Sequence, residues 1–494
     1  MASGQYGRPP TRRREPIPVA GLWRALGLTS ASAVVWGIAH VSVGRRATGF
    51  GLMGLLAALV LGGAAAVLAF QEKLKQLVVQ GFWLNVIIAG ILVLAAVWAL
   101  VVIRSFQVTC PPGLPSGMRY TSGALVVLLA LMICTPLVYA ANATYVLRDT
   151  LSSIFPGDDK SGASVNASNP WKNKPRVNIL LLGGDGGKDR TGIRTDSMTV
   201  ASIDTKTGNT VLLSLPRALR EFQMPPKMRT VWPNGYTGDY GPNGTCPISA
   251  CLLNELYIQG EKRHPELEPG YTAGQRGPHM LEDVIGYLTG LKMDYYVLVN
   301  LAGFKDIVNA MGGVQVNVKS SDGKWLPIGG DPDRGIPPSG YLKPGRQHLD
   351  GEHALWYGRT RHADDDFRRM DRQKCLMKAI ADQADPQKVV THFEKLANAA
   401  KSTISTNIPA KLLPALIKLS GTVKHGADVS SLSYDPDKIP GFHTNRPADA
   451  AMIQLMRRTA ANAIAKSTQP SATPTTTRKK TTTAGSALSL KDAC

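Results

Sequence analysis

Apolar residues crowd into the first 150 positions, in runs far longer than a buried strand needs. Three stretches hold no charged residue: Ala47 to Gln71, Gln76 to Ile103, and Tyr120 to Leu147. Each exceeds the roughly 20 residues a helix needs to cross a bilayer. Each is also rich in Leu, Val, Ala and Gly, as spanning helices are. A fourth stretch, Ala25 to Gly44, is weaker, with Trp36, His40 and several Ser and Thr. It could span, lie in the interface, or dip in and return. An all-α membrane region over 25–147 is the expectation.

After residue 175 the apolar runs shorten. Val177 to Leu182 reads as a buried strand entering a Gly-rich loop, Gly183 to Gly187. Met198 to Ile203 and Val211 to Leu215 flank a turn containing Gly208, a hairpin signature. Residues 276–290 have a helical pattern, Tyr295 to Val299 reads as a strand, and Leu301 to Met311 as a helix closed by Gly312 and Gly313. Val314 to Val318 alternates like a strand, and Asp350 to Ala384 is helical with a break at Asp364 to Asp366. This predicts one α/β (α+β) domain over 176–466, a mixed sheet flanked by helices. The composition of 148–175 is that of a linker. The Thr/Ser/Pro-rich stretch 467–494 is expected to be disordered.

Charge orients the membrane region. The chain of 494 residues carries 56 Lys and Arg against 36 Asp and Glu, a net +20. Lys and Arg beside spans favour the cytoplasmic side. Three spans starting inside place Arg8, Arg12, Arg13, Arg14, Arg45, Arg46, Arg104 and Arg119 in the cytoplasm and export everything after residue 148. Four spans would reverse the last four of these and trap the C-terminal part inside. The expectation is a multi-pass membrane protein with an extracytoplasmic domain and a basic cytoplasmic tail, 1–24. No signal-peptide cleavage pattern precedes Gly49. Cys246 and Cys251 share a Pro/Gly/Asn-rich loop. Outside the cell a disulfide is favoured there, and a zinc site is the competing reading. Cys110, Cys134 and Cys375 read as packing thiols, and Cys494 has no assigned role.

Several reaction schemes lack their motifs: there is no G-x-x-x-x-G-K-[ST], H-E-x-x-H, C-x-x-C or G-x-S-x-G. What stands out instead is a set of Arg and Asp residues. Asp185, Arg190, Arg194 and Asp196 follow the first strand, and Arg217 follows the third in Ser214-Leu-Pro-Arg217. Arg359, Arg361, Asp366, Arg368, Arg369, Asp371, Arg372 and Gln373 lie close together later, with 369, 372 and 373 on one helical face. Arginine forks match phosphate oxygens, and paired carboxylates suit Mg²⁺, which bridges phosphates. Together they describe a diphosphate site with a metal. Each cluster also has a plain structural reading: residues 368–374 as a solvated basic face, Asp185 and Asp196 as turn or cap residues.

These motifs, in this order, resemble the LytR–CpsA–Psr family. The resemblance rests on Asn178-Ile-Leu-Leu-Leu-Gly-Gly-Asp185, Arg194-Thr-Asp196-Ser-Met198 and Ser214-Leu-Pro-Arg217. It continues through Gly303-Phe to Val318, Leu349-Asp-Gly-Glu-His-Ala-Leu-Trp-Tyr-Gly-Arg-Thr-Arg361, and Asp366-Phe-Arg-Arg369-Met-Asp-Arg372-Gln373. It covers roughly 175–460. The resemblance implies a sheet-and-helix domain enclosing a hydrophobic lipid pocket, and transfer of a glycopolymer from a polyprenyl diphosphate carrier to peptidoglycan through a phosphodiester. By position it implies Mg²⁺ on Asp185 and Asp196, and diphosphate on Arg194, Arg217, Arg359, Arg361, Arg369 and Gln373. Catalysis would fall to Arg217, Arg369 and Asp366, the last orienting an Arg or taking the acceptor proton.

Two departures stand against that pattern. Ala218 follows Arg217 where relatives commonly carry Asp, and no C-terminal accessory domain is evident. The loop of Cys246 and Cys251 is similar to actinobacterial members, which hints at arabinogalactan or another wall glycopolymer. Hydrolysis of the diphosphate and non-catalytic lipid-glycan binding or regulation are the alternative readings. Nucleic acid is not an expected partner, because the cytoplasmic tail has no helix-turn-helix pattern.

Overall fold

The computed structural model describes residues 19–69, 81–155, 170–185, 193–242, 244–247, 250–319, 323–330, 335–362, 365–383, 393–468, 487–490 and 494. Residues 1–18 of the basic tail, 156–169 of the linker, Arg190, Asp364 and most of the Thr/Ser stretch lie outside them. The chain divides into two compact units, Met1–Arg148 and Asp149–Cys494.

The first unit is helical: α1 (Val19–Val34), α2 (Ile38–Ser42), α3 (Arg46–Ala69), α4 (Gly81–Thr109) and α5 (Ser116–Ile154), the last running across the division. Helices α3, α4 and α5 are long and apolar enough to cross a membrane. The weak stretch from Ala25 to Gly44 is a broken helix. Gly37 takes a left-handed conformation, φ 94°, which ends α1 after 16 residues, about 24 Å at 1.5 Å per residue and short of the hydrocarbon thickness. Both pieces pack on their neighbours. Trp98 of α4 donates its indole N–H to Ala33 O at 2.9 Å and meets Trp36 edge-on at 5.3 Å. At the α2–α3 approach, a side chain on Gly37 would collide with the backbone of Gly49.

The second unit is built on a seven-stranded mixed sheet. Its strands are β1 (Arg176–Asp185), β2 (Arg194–Asp204), β3 (Thr210–Leu215), β4 (Tyr295–Asn300), β9 (Ile404–Thr406), β10 (Val429–Ser433) and β11 (Leu488–Ser489). They run in the order β11-β10-β3-β2-β1-β4-β9. β1 and β2 pair antiparallel, β1 and β4 parallel, β3 and β10 parallel. Alternation sorts the side chains. Leu180, Leu182, Met198, Val200, Leu213 and Leu215 enter the main core. There they meet Met280, Val284, Ile285 and Leu288 of α6 (Arg276–Thr289) and Met452, Ile453 and Met456 of α12 (Ala450–Thr468). Val177 and Ile179 face the other side, with Tyr295, Ile408 and Leu412, and Phe155 and Trp171 pack onto that cluster. The expected linker over 148–175 is therefore ordered at both ends: α5 continues to Ile154, and Trp171 covers the sheet.

A smaller core joins α7 (Leu301–Ala310), α8 (Gly351–Arg359) and α9 (Asp366–Gln383) to two ribbons. One ribbon pairs β5 (Val314–Val318) with β8 (Gly345–Leu349), the other β6 (Leu326–Ile328) with β7 (Gly340–Leu342). Asp350 caps α8, accepting the N–H of His353 at 2.9 Å. Helices α10 (Phe393–Thr403) and α11 (Leu413–Gly426) complete the unit.

Cys246 and Cys251 form a disulfide that closes the loop after β3. A second disulfide, Cys375–Cys494, joins α9 to the C-terminal segment across 119 positions, with the Cα atoms 5.3 Å apart. It corrects two expectations: Cys375 is not a packing thiol, and the tail is not disordered throughout. Leu488 and Ser489 pair with β10, and Leu490 is buried.

Candidate functional site

The site forms where β2, β3 and α9 meet. Between Gly183 and Gly184 the β1–β2 ladder shifts register: Gly183 faces Ser197 and Gly184 faces Thr195, so Asp196 is left without an opposite residue. A bulge of this kind re-aims a side chain. The same strand pairs with β3, Met198 opposite Leu215. Continuing that register two residues past the ladder sets Arg217 opposite Asp196. Arg217 Nη1 donates to Asp196 Oδ1 at 2.7 Å.

Helix α9 supplies the third wall. Asp365 accepts the Arg368 N–H at 2.9 Å and so starts the helix. Asp366 follows in the first turn, where a carboxylate suits the helix dipole. Its Oδ1 lies 2.8 Å from Arg369 Nη2 and 3.4 Å from Arg217 Nε. These are ion contacts without hydrogen-bond alignment. Both Asp366 carboxylate oxygens and Arg369 Nε are buried with no hydrogen-bond partner among the described residues. Arg369 is 3% exposed and donates from Nη2 to the Asp196 carbonyl at 2.9 Å. A basic helix of this composition was open to being a solvated face. Instead Arg369, Arg372 and Lys374 are buried, and only Arg368 of this group is exposed.

Helix α9 also closes the end of α8. Arg372 donates Nε–H to Tyr357 O at 3.0 Å, and Gln373 donates Nε2–H to Gly358 O at 3.0 Å. Both satisfy carbonyls left open at a helix C-terminus. The chain beyond them carries Arg359 and Arg361. Arg359 lies 5.3 Å over the Trp356 ring.

Electrostatics place these arginines around one point. Burial alone would push the Asp196 carboxyl up. The charges of Arg217, Arg369 and Arg359, with the Arg217 hydrogen bond, outweigh it and hold Asp196 below the ordinary carboxylate range. Burial pulls Arg369 below the usual arginine value, opposed by Asp366 and reinforced by Arg217 and Arg361. Even lowered, a guanidinium stays charged. Arg359 thus bears on Asp196 and Arg361 on Arg369 through their charge, alongside the direct contacts of Arg217.

Of the sequence-predicted residues, Asp196, Arg217, Asp366 and Arg369 are in contact, and Arg359 and Arg361 act on them through their charge. Gln373 has its amide N–H engaged on α8. Arg194 is exposed at the start of β2, and its charge is felt at the Glu255 carboxyl. Asp185 ends β1 opposite Arg194. The structure adds one group that sequence reasoning missed, a partly buried charge network behind α9. Lys374 Nζ lies 2.8 Å from Asp371 Oδ1 and donates to Ser433 Oγ of β10 at 2.7 Å. Lys438 reaches Asp371 Oδ2 at 2.9 Å and Asp435 at 3.2 Å. The i,i+3 spacing of Asp371 and Lys374 was the available signal.

Fold and site define an α/β domain carrying a cluster of arginines and aspartates at the ends of β2, β3 and α9. The chain belongs to the LytR–CpsA–Psr family: the model of the LytR_cpsA_psr family matches residues 150–469, well over half of it. The polyisoprenyl-teichoic acid–peptidoglycan teichoic acid transferase TagV of Bacillus subtilis is 30% identical over 241 residues, 48% of this chain and 51% of TagV. The transferase of the same description TagU, from Enterococcus faecalis, is 26% identical over 244 residues, 48% of this chain and 63% of TagU. The chain thus spans about half of the first and under two thirds of the second. Among solved structures, the LytR-CPS2A-psr family protein YwtF (TagT) with bound octaprenyl pyrophosphate lipid is 21% identical, covering 58% of this chain and 90% of that one, TM-score 0.36.

Proposed function

We propose that this protein is a membrane-anchored phosphotransferase, with its sheet domain outside the cell. It would move a glycopolymer from a polyprenyl diphosphate carrier held in a hydrophobic pocket to peptidoglycan. The observation that carries the reading is the meeting of Asp196, Arg217, Asp366 and Arg369, with Asp366 Oδ2 and Arg369 Nε buried and without a hydrogen-bond partner among the described residues. Such groups cost free energy unless a ligand completes them. The names of TagV and TagU, which pair a polyisoprenyl-linked polymer with peptidoglycan, support the choice of substrates.

In this reading Arg217, Arg359, Arg361 and Arg369 bind the diphosphate and neutralise charge as it develops, which is most of what phosphoryl transfer asks of a protein. The acceptor hydroxyl oxygen attacks the phosphorus bearing the glycan, and its proton passes to Asp366 Oδ2. The bridging P–O bond breaks and polyprenyl phosphate leaves. Asp366 Oδ1 is held by the two arginines, which keeps Oδ2 free for the proton. Water in place of the hydroxyl would make the same site a hydrolase.

The residues suit Mg²⁺, which is commonly held by one or two carboxylates plus substrate phosphates. Asp196 is kept ionised by its arginines, and Asp185 closes the neighbouring strand. Both would hold the ion, which when bound would draw charge off the diphosphate oxygens. The test uses the full chain in vesicles with a polyprenyl diphosphate glycan and peptidoglycan fragments, with Mg²⁺ or chelator. We expect metal-dependent attachment that is lost in Arg369→Ala. Lipid phosphate release without attachment would make it a hydrolase, and tight binding without turnover would make it a binder.

A further inference from the structure

The β6–β7 ribbon presents an unusual outer face. Leu326, Ile328 and Leu342 point inward and are buried in the smaller core. Their alternate neighbours therefore point out. Register pairs Pro327 with Tyr341, and one step further Trp325 falls opposite Lys343, whose Nζ lies 4.9 Å over the indole ring. Trp325 is 53% exposed, Tyr341 55%, and Ile336, in the connecting loop, 48%. Large apolar side chains grouped on a soluble surface ask for a partner.

Basic residues flank this face. Lys324, next to Trp325 in the sequence, and Lys343, two positions from Tyr341, are both exposed. From Lys319 to Arg346 the sequence holds five Lys or Arg against three Asp. Trp and Tyr with Lys and Arg at the edge is the composition of a surface that lies in the headgroup layer of a bilayer. The ribbon is also rigidly tied to the site. Thr360 Oγ1 donates to Pro327 O at 2.6 Å, and His362 Nε2 pairs with Gly329 O at 2.8 Å. The three residues Thr360, Arg361 and His362 follow directly on Arg359.

We propose that the Trp325–Pro327–Tyr341–Lys343 face docks the exported unit onto an anionic lipid surface. The arginines would then sit at the depth where a lipid-borne diphosphate lies, a step that rests on the proposed function. Ile336 and the aromatics enter the interface, and the lysines meet lipid phosphates. Each lysine near such a surface shifts the docked-to-free ratio about five-fold.

The test places a bimane label at Tyr341→Cys in the full chain, with Cys110 and Cys134 replaced by Ser, in phosphatidylglycerol or phosphatidylcholine vesicles. A comparison label sits at Lys418→Cys, an exposed position on α11. We expect bromolipid to quench the Tyr341→Cys label in phosphatidylglycerol vesicles and iodide to quench the Lys418→Cys label. Lys324→Gln should lower the docked-to-free ratio about five-fold. Iodide quenching of the Tyr341→Cys label in every vesicle would overturn the proposal, as would a spectral shift produced by soluble peptidoglycan fragments instead. This readout needs no turnover. Lipid quenching without glycan transfer would uphold docking while the phosphotransferase reading fell. A Trp325→Ser variant should lose transfer from vesicle-borne carrier and keep it with a detergent-dispersed short-chain one.

Discussion

Replacing Cys375 with Ser should cost the exported unit more than replacing Cys246. The two disulfides differ chiefly in the chain they close, 119 positions against 5. If cross-linking acts by restricting the unfolded chain, the long loop contributes about 5 kcal/mol and the short one about 2 kcal/mol. An unfolding entropy near 2.1 cal/mol/K per residue, over the matched length 150–469, converts the first to a fall of roughly 7 °C and the second to roughly 3 °C. Calorimetry of the full chain in detergent would read both, and wild type in strong reductant should show the two losses combined. Equal shifts for the two variants, or no shift for Cys375→Ser, would refute the loop-entropy reasoning. The long bond would then be a surface tie with no hold on the rest of the unit.

Other predictions concern the charges. Arg217→Lys keeps the charge but cannot hold Asp196 and Asp366 at once; we expect lipid phosphate release to fall by about 10²–10³, the scale for losing one transition-state donor. Lys374→Met removes one of the two lysines on Asp371 and the donor to Ser433, while Lys438 stays on Asp371; it should cost about 1–2 kcal/mol by denaturant titration. Burial opposes ionisation of Asp371, but Lys374 and Lys438 win and lower its pKa, as the arginines do for Asp196. Both carboxylates therefore contribute stability above the ordinary value of 3.8, and this is lost as pH falls from there through their lower folded values. Asp371→Asn should flatten that acid limb of the stability curve.

Much of this was legible in the sequence, for identifiable reasons. Charge-free runs of bilayer length have few other uses, so α3, α4 and α5 stood out. β1, β2, β3 and β5 were readable because Val, Leu and Ile recur with strand spacing between Gly-rich turns. The arginines and aspartates of the site could be named, but not their contacts. Asp196 meets Arg217 only through a bulge and an antiparallel register, neither of which local composition encodes. β10, with the sequence Val-Ser-Ser-Leu-Ser, escaped notice because its serines are not an apolar strand signal; Ser433 meets Lys374 and Asp371 of α9 instead of an apolar core. Cys494 could not be paired with Cys375, since a partner 119 positions away leaves no trace in spacing.

The order of strands in the sheet has a consequence for how the chain comes into being. β1, β2 and β3 are consecutive, yet the free flank of β3 is covered by β10, more than 200 positions later, and β4 waits for β9 at residues 404–406. A polypeptide emerging N-terminus first would therefore hold a half-built ribbon with unpaired edges while most of the domain was still being made. Open edges of this kind invite pairing with other chains. Production of the domain should be sensitive to whatever shields nascent strands during that interval, and shortening the chain before Val429 should yield aggregate rather than a smaller soluble core.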